Sequence, residues 1–220
     1  MKKYRKIIAI IPVRKGSVRL KDKNFLKFGK KSLTEITIDC AKKSKIFKKI
    51  VVSTDNPNLE KICKLKKVDF FYRKNFCDNN SPVSYATHDT ILKMKLKKND
   101  VVVQLMATCP LRSPDDILNS INFFFKHNKK FQISVFRCGW IKDNYYILGN
   151  KKKNNLIKKI TNNKFYPTGS VWIANIKEFL KSKNFYGKNF QIFELPWVRS
   201  IDIDTNDDFR TASLLKKFKI

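Results

Sequence analysis

Two hydrophobic periods alternate along the chain. Apolar runs of strand length recur at Ile7–Ile11, Ile50–Ser53, Val68–Tyr72, Val101–Met106 and Phe131–Arg137. Between them, apolar positions return every three or four residues. Leu33–Lys43 places Leu33, Ile36, Thr37 and Cys40 on one helical face, and Asn58–Lys66 does the same with Leu59, Ile62, Cys63 and Leu65. Two further helices are predicted at about Ser84–Lys95 and at Pro114–Lys126. Ser113 is the N-cap of the latter, Pro114 its first helical residue, and Asp115 and Asp116 complement its dipole. Continuous apolar strands separated by amphipathic helices predict an α/β fold, a mostly parallel sheet with helices on both faces.

After Arg137 the pattern changes. Residues 139–164 are polar, with G-N-K-K-K-N-N at their centre, and read as an excursion outside the main sheet. A strand at Ser170–Ala174, a helix at Ile176–Ser182 and a strand at Phe190–Leu195 follow. Ser200–Asp204 alternates strictly and is expected to be a strand with Ile201 and Ile203 on one face, Asp202 and Asp204 on the other. A closing helix runs from about Asn206 to Lys217. No internal repeat or linker divides the chain, so residues 1–220 are expected to form one domain with a small lobe at about 138–188.

Composition changes this picture little. The net charge of +30 raises nucleic acid or an anionic membrane as a partner. The excess is mostly lysine, spread along the whole chain rather than gathered on one element, and Asn, Ile and Phe share its A/T-rich codons. A compositional bias accounts for that pattern, so neither partner is expected, while the charge favours anionic substrates. No apolar run approaches the ~20 residues of a membrane span, and no signal peptide is read at the N-terminus. A cytoplasmic location is expected. The five cysteines and two histidines show no metal-ligand spacing, which argues against zinc.

The candidate chemistry begins at the first strand. Ile7–Ile11 stops at Pro12, and a loop follows with Gly16, Ser17 and the cations Arg14, Lys15, Arg19, Lys21 and Lys23. Open α/β sheets bind ligands beyond the carboxyl ends of their strands. A glycine there lets backbone N–H groups approach an anion that the cations neutralise, so the loop suits a triphosphate. The alternative is a surface loop in a lysine-rich protein. Asp202 and Asp204, two residues apart on an extended chain, carry carboxylates about 6–7 Å apart along it. Such a pair suits Mg²⁺, which keeps waters and phosphate oxygens as its other ligands. The alternative is helix capping by Asp204 or Thr205. Arg73 closes the strand Val68–Tyr72 and Ser84 opens the following helix. Phe185 and Tyr186 form either a ligand wall or core packing.

Together these stretches resemble the CMP-sialic acid synthetases (N-acylneuraminate cytidylyltransferases). P-V-R-K-G-S-V-R-L-K-D-K-N at 12–24 is similar to their P-A-R-G-G-S-K-R-I-P-x-K-N. V-V-S-T-D at 51–55, Arg73, Ser84, T-C-P-L-R at 108–112, F-Y-P-T-G-S-V-W-I at 165–173 and S-I-D-I-D-T at 200–205 follow in the family's order. The resemblance implies a Rossmann-like nucleotide-diphospho-sugar transferase fold with a small dimerisation lobe. It implies a homodimer that joins CTP to an acidic nine-carbon sugar, giving a CMP-sugar and pyrophosphate. Arg14, Ser17, Arg19, Lys23, Asn24, Arg73 and Ser84 would bind the nucleotide, with Arg14 and Lys23 facing its phosphates. Asp202 and Asp204 would ligate Mg²⁺. Gln104, Met106, Tyr166, Phe185 and Tyr186 would meet the sugar, the aromatic pair often coming from the partner subunit.

The departures lie mostly on the sugar side. Val18 replaces a lysine, Met106 a glutamine and Tyr166 an arginine, and Lys158 is the nearest cation to an absent upstream R-Q segment. They point to an acid other than N-acetylneuraminate, with legionaminate and pseudaminate as candidates. The Kdo relatives are disfavoured, because K-N stands where they carry K-P-L and M-A-T-C-P where they carry Q-G-D-E-P. A non-catalytic nucleotide-binding homologue is the other reading these departures leave open.

Overall fold

The computed structural model describes residues 5–137 and 165–218; Cys138, Lys158 and the polar stretch between them lie outside the described residues. The first strand, β1 (Ile7–Val13), leads through a loop into a short hairpin, β2 (Lys27–Phe28) and β3 (Lys31–Ser32), turned at Gly29. Then come α1 (Leu33–Lys43), β4 (Lys49–Thr54), α2 (Leu59–Lys66), β5 (Asp69–Tyr72), α3 (Val83–Lys93), β6 (Val101–Gln104), α4 (Pro114–Lys126) and β7 (Phe131–Arg137). The last part holds β8 (Phe165–Asn175), α5 (Ile176–Ser182), β9 (Phe190–Glu194) and α6 (Asn206–Lys217).

Among the described residues, seven strands form one sheet in the order β5-β4-β1-β6-β8-β7-β9. β5, β4, β1 and β6 are mutually parallel, and β7 is parallel to β9. β8 runs antiparallel to both β6 and β7. From β1 the chain first builds outward through β4 and β5, then returns to add β6 on the other side. The loop leaving β1 therefore sits at the switch point of the sheet, where such folds bind ligands.

The period-two pattern of β1 divides two cores. Ala9, Ile11 and Val13 pack with Ile38, Leu59, Ile117, Ile121 and Phe124 from α1, α2 and α4. Ile8 and Ile10 pack on the opposite face with Ile91, Ile176 and Phe179 from α3 and α5. Fully burying each such side chain contributes about 1.5–3 kcal/mol, which is why a strand with no polar face is stable only between two helical layers. A third cluster of Leu20, Phe28, Leu33, Ile203 and Ala212 seats the post-β1 loop and the hairpin against α6.

Two expectations are corrected. Ser200–Asp204 is not a strand: Trp197–Ser200 is a 3-10 turn and 201–204 is irregular. Its inward Ile203 reflects packing in the third cluster rather than pairing, and its anchor is one backbone bond, Ile203 N–H to the Thr108 carbonyl at 2.8 Å. The lobe drawn at 138–188 is also too long. Residues 165–182 are β8, a central strand of the main sheet, and α5.

Candidate active site

Beyond the carboxyl ends of β1, β4, β5 and β6, the loops are held by their own backbone groups. Gly16 has φ +75°, which opens the loop and turns its N–H to the Asp22 carboxylate at 3.3 Å. The Lys15 N–H donates to Asp55, just after β4, at 2.8 Å. Asn24 is buried; its side-chain amide donates to the Arg14 carbonyl at 3.1 Å, and its own carbonyl accepts from the Thr34 hydroxyl at 2.7 Å. Asn24 thus fixes the loop against α1.

Among the polar groups buried at this edge without a hydrogen-bond partner are the Ser17 hydroxyl oxygen and Nε of Arg73, together with the Thr108 hydroxyl and Nε of Arg112. Arg73 is 2 % exposed, and its N–H is bound by the Thr54 carbonyl at 2.7 Å. Burial lowers its pKa; Cys77, Asp55 and Asp89 oppose that only in part. A buried guanidinium with a free donor is costly unless an anion completes it. Ser84 is buried in the first turn of α3 rather than opening it.

The two acidic residues come to the same edge from the far end of the chain. Asp204 receives Arg19 at 2.6 Å and Lys23 on its other oxygen. The loop after β1 and the 201–204 segment are thereby joined, although 185 residues separate Arg19 from Asp204. Asp202 lies under Gly169, where an added Cβ would stand 3.0 Å from its Oδ2 and 2.6 Å from Cγ of Met106. Burial raises the pKa of Asp202; the Asp204 carboxylate adds to this, while the Thr108 hydroxyl, Lys23 and the Gly169 N–H oppose it. The capping alternative is realised by Thr205, whose hydroxyl accepts from the Asp208 N–H at 3.2 Å. Both aspartate carboxylates are thus free of the cap. The donor set fits a hard cation: two carboxylates at one edge, one of them desolvated and beside the other. Among the described residues no group of three or more metal-ligating side chains occurs, so the remaining ligands would be water and substrate oxygens.

The residues expected at the sugar lie in different settings. Gln104 is fully buried; its Oε1 accepts from the Thr87 hydroxyl at 2.6 Å, and its amide nitrogen stands 3.7 Å from the Met106 sulfur. Met106 itself is partly exposed beside Asp202. Tyr166 stacks on Phe136, ring centroids 5.6 Å apart. Phe185 is corrected: it is fully buried against Phe179 and Trp172, at 4.6 and 5.5 Å, and offers a ligand no surface. Its neighbour Tyr186 is half exposed. A cleft of about 280 Å³ opens at Asp202, with Phe136, Pro167, Trp197 and Ile201 among its walls.

Several residues that build this site carry only a faint signal in the sequence. Asp22 and Asp55 hold the basic loop. The buried Arg112 donates Nη1 to the Met106 and Ser170 carbonyls, clamping the end of β6 to β8. The S-x-x-D and T-x-x-D spacings at Ser113–Asp116 and Thr205–Asp208 do foretell capping boxes, and both are present.

A family model described as Cytidylyltransferase matches residues 8–216. The chain belongs to the cytidylyltransferase family. Among its relatives is the N-acylneuraminate cytidylyltransferase of Escherichia coli O18:K1:H7, 28% identical over 228 residues, covering 97% of this chain and 53% of that protein. The chain thus spans about half the length of the first relatives it matches, including that of Streptococcus agalactiae at 52%. Family members of similar length also match. The pseudaminic acid cytidylyltransferase of Campylobacter jejuni is 26% identical, covering 96% of this chain and 97% of that one. The CMP-N,N'-diacetyllegionaminic acid synthase of Legionella pneumophila is 29% identical, covering 96% of each. A solved CMP:2-keto-3-deoxy-manno-octonic acid synthetase, complexed with CTP, superposes with TM-score 0.71 over 98% of this chain and all of that one, at 13% identity. That likeness establishes the nucleotidyltransferase type of Rossmann-like fold.

Proposed function

We propose that the protein is a Mg²⁺-dependent cytidylyltransferase that joins CTP to a nonulosonic, sialic-acid-like sugar acid, releasing pyrophosphate. The observation that carries this reading is the junction of the basic β1 loop with the Asp202–Asp204 segment through Asp204, at the switch point of the sheet. The relatives of matching length that act on pseudaminic and legionaminic acids support the substrate class.

In this mechanism Arg14, the Gly16–Ser17 backbone and Lys23 bind the triphosphate, while Arg73 and Ser84 hold the nucleotide. The sugar's anomeric oxygen forms a bond to the α-phosphorus as the α–β anhydride bond breaks. The bonding pair leaves with pyrophosphate, and the hydroxyl proton passes to the aspartate pair. Asp202 and Asp204 would hold Mg²⁺, which when bound supplies charge stabilisation on the phosphate oxygens. Arg19 and Lys23, on Asp204 in the free protein, lie where they can turn to the phosphates. Orientation and electrostatics supply most of the catalysis, as in phosphoryl transfer generally.

A homodimer completes the proposal. Tyr186, Phe190 and Ile192 are exposed along and beside the edge strand β9, and exposed apolar side chains on a sheet edge suit burial against a second copy. Light scattering of the purified chain tests the assembly. The activity is tested with each nucleoside triphosphate and a panel of nonulosonic acids, with and without Mg²⁺, reading pyrophosphate release. Release with CTP and one such acid, abolished by chelator, is expected. No release from any CTP–sugar pair by folded protein overturns the reading.

A further inference from the structure

Among the described residues the segment that carries Asp202 and Asp204 has no ladder to hold it, so its position depends on individual hydrogen bonds and ion pairs. Besides Arg19 and Lys23 on Asp204, four ties to the segment occur among the described residues. The Thr168 hydroxyl donates to the Ser200 carbonyl at 2.7 Å. Ile203 N–H reaches the Thr108 carbonyl, and Asp204 N–H reaches the Asp208 carboxylate at 3.0 Å. The fourth spans 83 residues: Nε of Arg199 donates to both oxygens of Asp116, at 3.0 and 2.9 Å. Asp116 is buried and already serves the α4 capping box, accepting from the Ser113 N–H at 2.9 Å. Its carboxylate is therefore locked by α4 before Arg199 binds it. Arg199 itself precedes Ser200 and lies in the 3-10 turn that launches the acidic segment.

We propose that Arg199 is a positioning residue that acts through Asp116: this ion pair ties the acidic segment to the N-terminus of α4 and sets the geometry in which Asp202 and Asp204 receive the cation. The inference rests on the metal role of that aspartate pair. Arg199 lies three residues from Asp202 and touches neither aspartate in any described contact, so its effect passes through the backbone of Ser200 and Ile201. Asp116 is buried and Arg199 only partly exposed, so losing the pair lowers stability whichever role it has. Yet residues that orient metal ligands typically change metal affinity about 10–100-fold when removed. The two roles thus predict different outcomes. A structural brace moves the melting temperature alone, whereas a positioning residue also moves the metal titration.

The test uses the full chain and Mn²⁺ as probe, with binding read by electron paramagnetic resonance in the presence of CTP and Mg²⁺ activation read by pyrophosphate release. Arg199→Gln and Asp116→Asn should each weaken Mn²⁺ binding about tenfold or more and raise the half-activating Mg²⁺ concentration in parallel. KM for CTP at saturating metal should stay near that of the unmodified protein. The double variant should be no worse than either single one, and Arg199→Lys should recover part of the affinity. Asp116→Asn keeps an oxygen for the Ser113 cap, so it carries the test if Arg199→Gln fails to fold. An unchanged Mn²⁺ affinity in folded variants, or a loss confined to melting temperature, overturns the role of Arg199 alone. No Mn²⁺ binding and no turnover by the unmodified protein overturns it together with the metal reading.

Discussion

Gly169→Ala isolates the contact between Asp202 and the strand beside it. Gly169 does not have positive φ, so its backbone accepts any residue and the effect of a methyl group is purely steric. That methyl would meet Cγ of Met106 at 2.6 Å and Cβ of Met106 and Oδ2 of Asp202 at 3.0 Å. Carbon atoms in contact stand about 3.5–4.0 Å apart, so Met106 must give by about an ångström and Asp202 by a few tenths. Local separation of the strands is resisted: Met106 N–H donates to the Gly169 carbonyl at 3.1 Å, and Arg112 clamps the adjacent carbonyls. Overpacking of this kind costs about 1–3 kcal/mol, which for a domain of this size lowers Tm by about 2–12 °C. Misplacing Asp202 adds a separate loss in turnover, about tenfold or more, since an error of 1 Å at such a site costs about 10²-fold. The two effects come apart in Met106→Ala/Gly169→Ala. Removing Cγ relieves the worst clash, so thermal and urea unfolding should show a favourable coupling of about 1 kcal/mol between the two changes. The Asp202 contact is untouched, so pyrophosphate release stays low. Native stability and full turnover in Gly169→Ala, or strict additivity with Met106→Ala, would refute the packing described here.

Asp202→Asn should melt at or above the temperature of the unmodified protein, because it removes a desolvated charge that Asp204 repels, and should lose turnover; a clear drop in Tm would contradict that electrostatic setting. Arg73→Met should leave the ligand-free protein as stable as before but abolish the Tm rise given by CTP, a rise that for intact protein at 100 times Kd corresponds to about 2.7 kcal/mol; an undiminished rise would remove Arg73 from the nucleotide site. Hydrogen bonds from the Ser81 hydroxyl and the Ser81 and Asn80 N–H groups hold the Asp78 pKa down, to about 2. Its folded-state value is depressed, so its stabilisation is present above the ordinary carboxylate value of 3.8 and is lost as pH falls towards 2; Asp78→Asn should flatten the pH dependence of Tm across that window, and parallel curves would show otherwise. Burial pushes the thiol of Cys63 up to about 11 and that of Cys109 higher still, so native alkylation near pH 8 should label the more accessible Cys77 ahead of both, and equal rates would refute the assignment.

The layered core was legible because its cause is local. Ile7–Ile11 has no polar face, so only a position between two helical layers suits it, and α1, α4, α5 and α6 begin and end at the residues expected from the sequence. What escaped depends on partners far along the chain. Nothing near Phe165–Asn175 tells that this stretch enters antiparallel between β6 and β7, and Ser200–Asp204 alternates like a strand although it pairs with no strand among the described residues. Arg73 and Arg112 look alike in the sequence, each a basic residue closing a strand or its turn. In the fold both keep a buried Nε without a partner, but Arg112 also gives hydrogen bonds to two backbone carbonyls and is a clamp, whereas Arg73 is the one proposed above to meet the nucleotide. The same distinction decides how the departure at Val18 should be weighed. Val18 is 74 % exposed and lies outside the ion pairs that join the loop to the acidic segment. The cations that reach the acidic segment are Arg19 and Lys23, and both are present on Asp204. Loss of a family lysine at position 18 therefore leaves the junction of loop and aspartates intact, whereas a change at Lys23, less exposed and bound to Asp204, would break it.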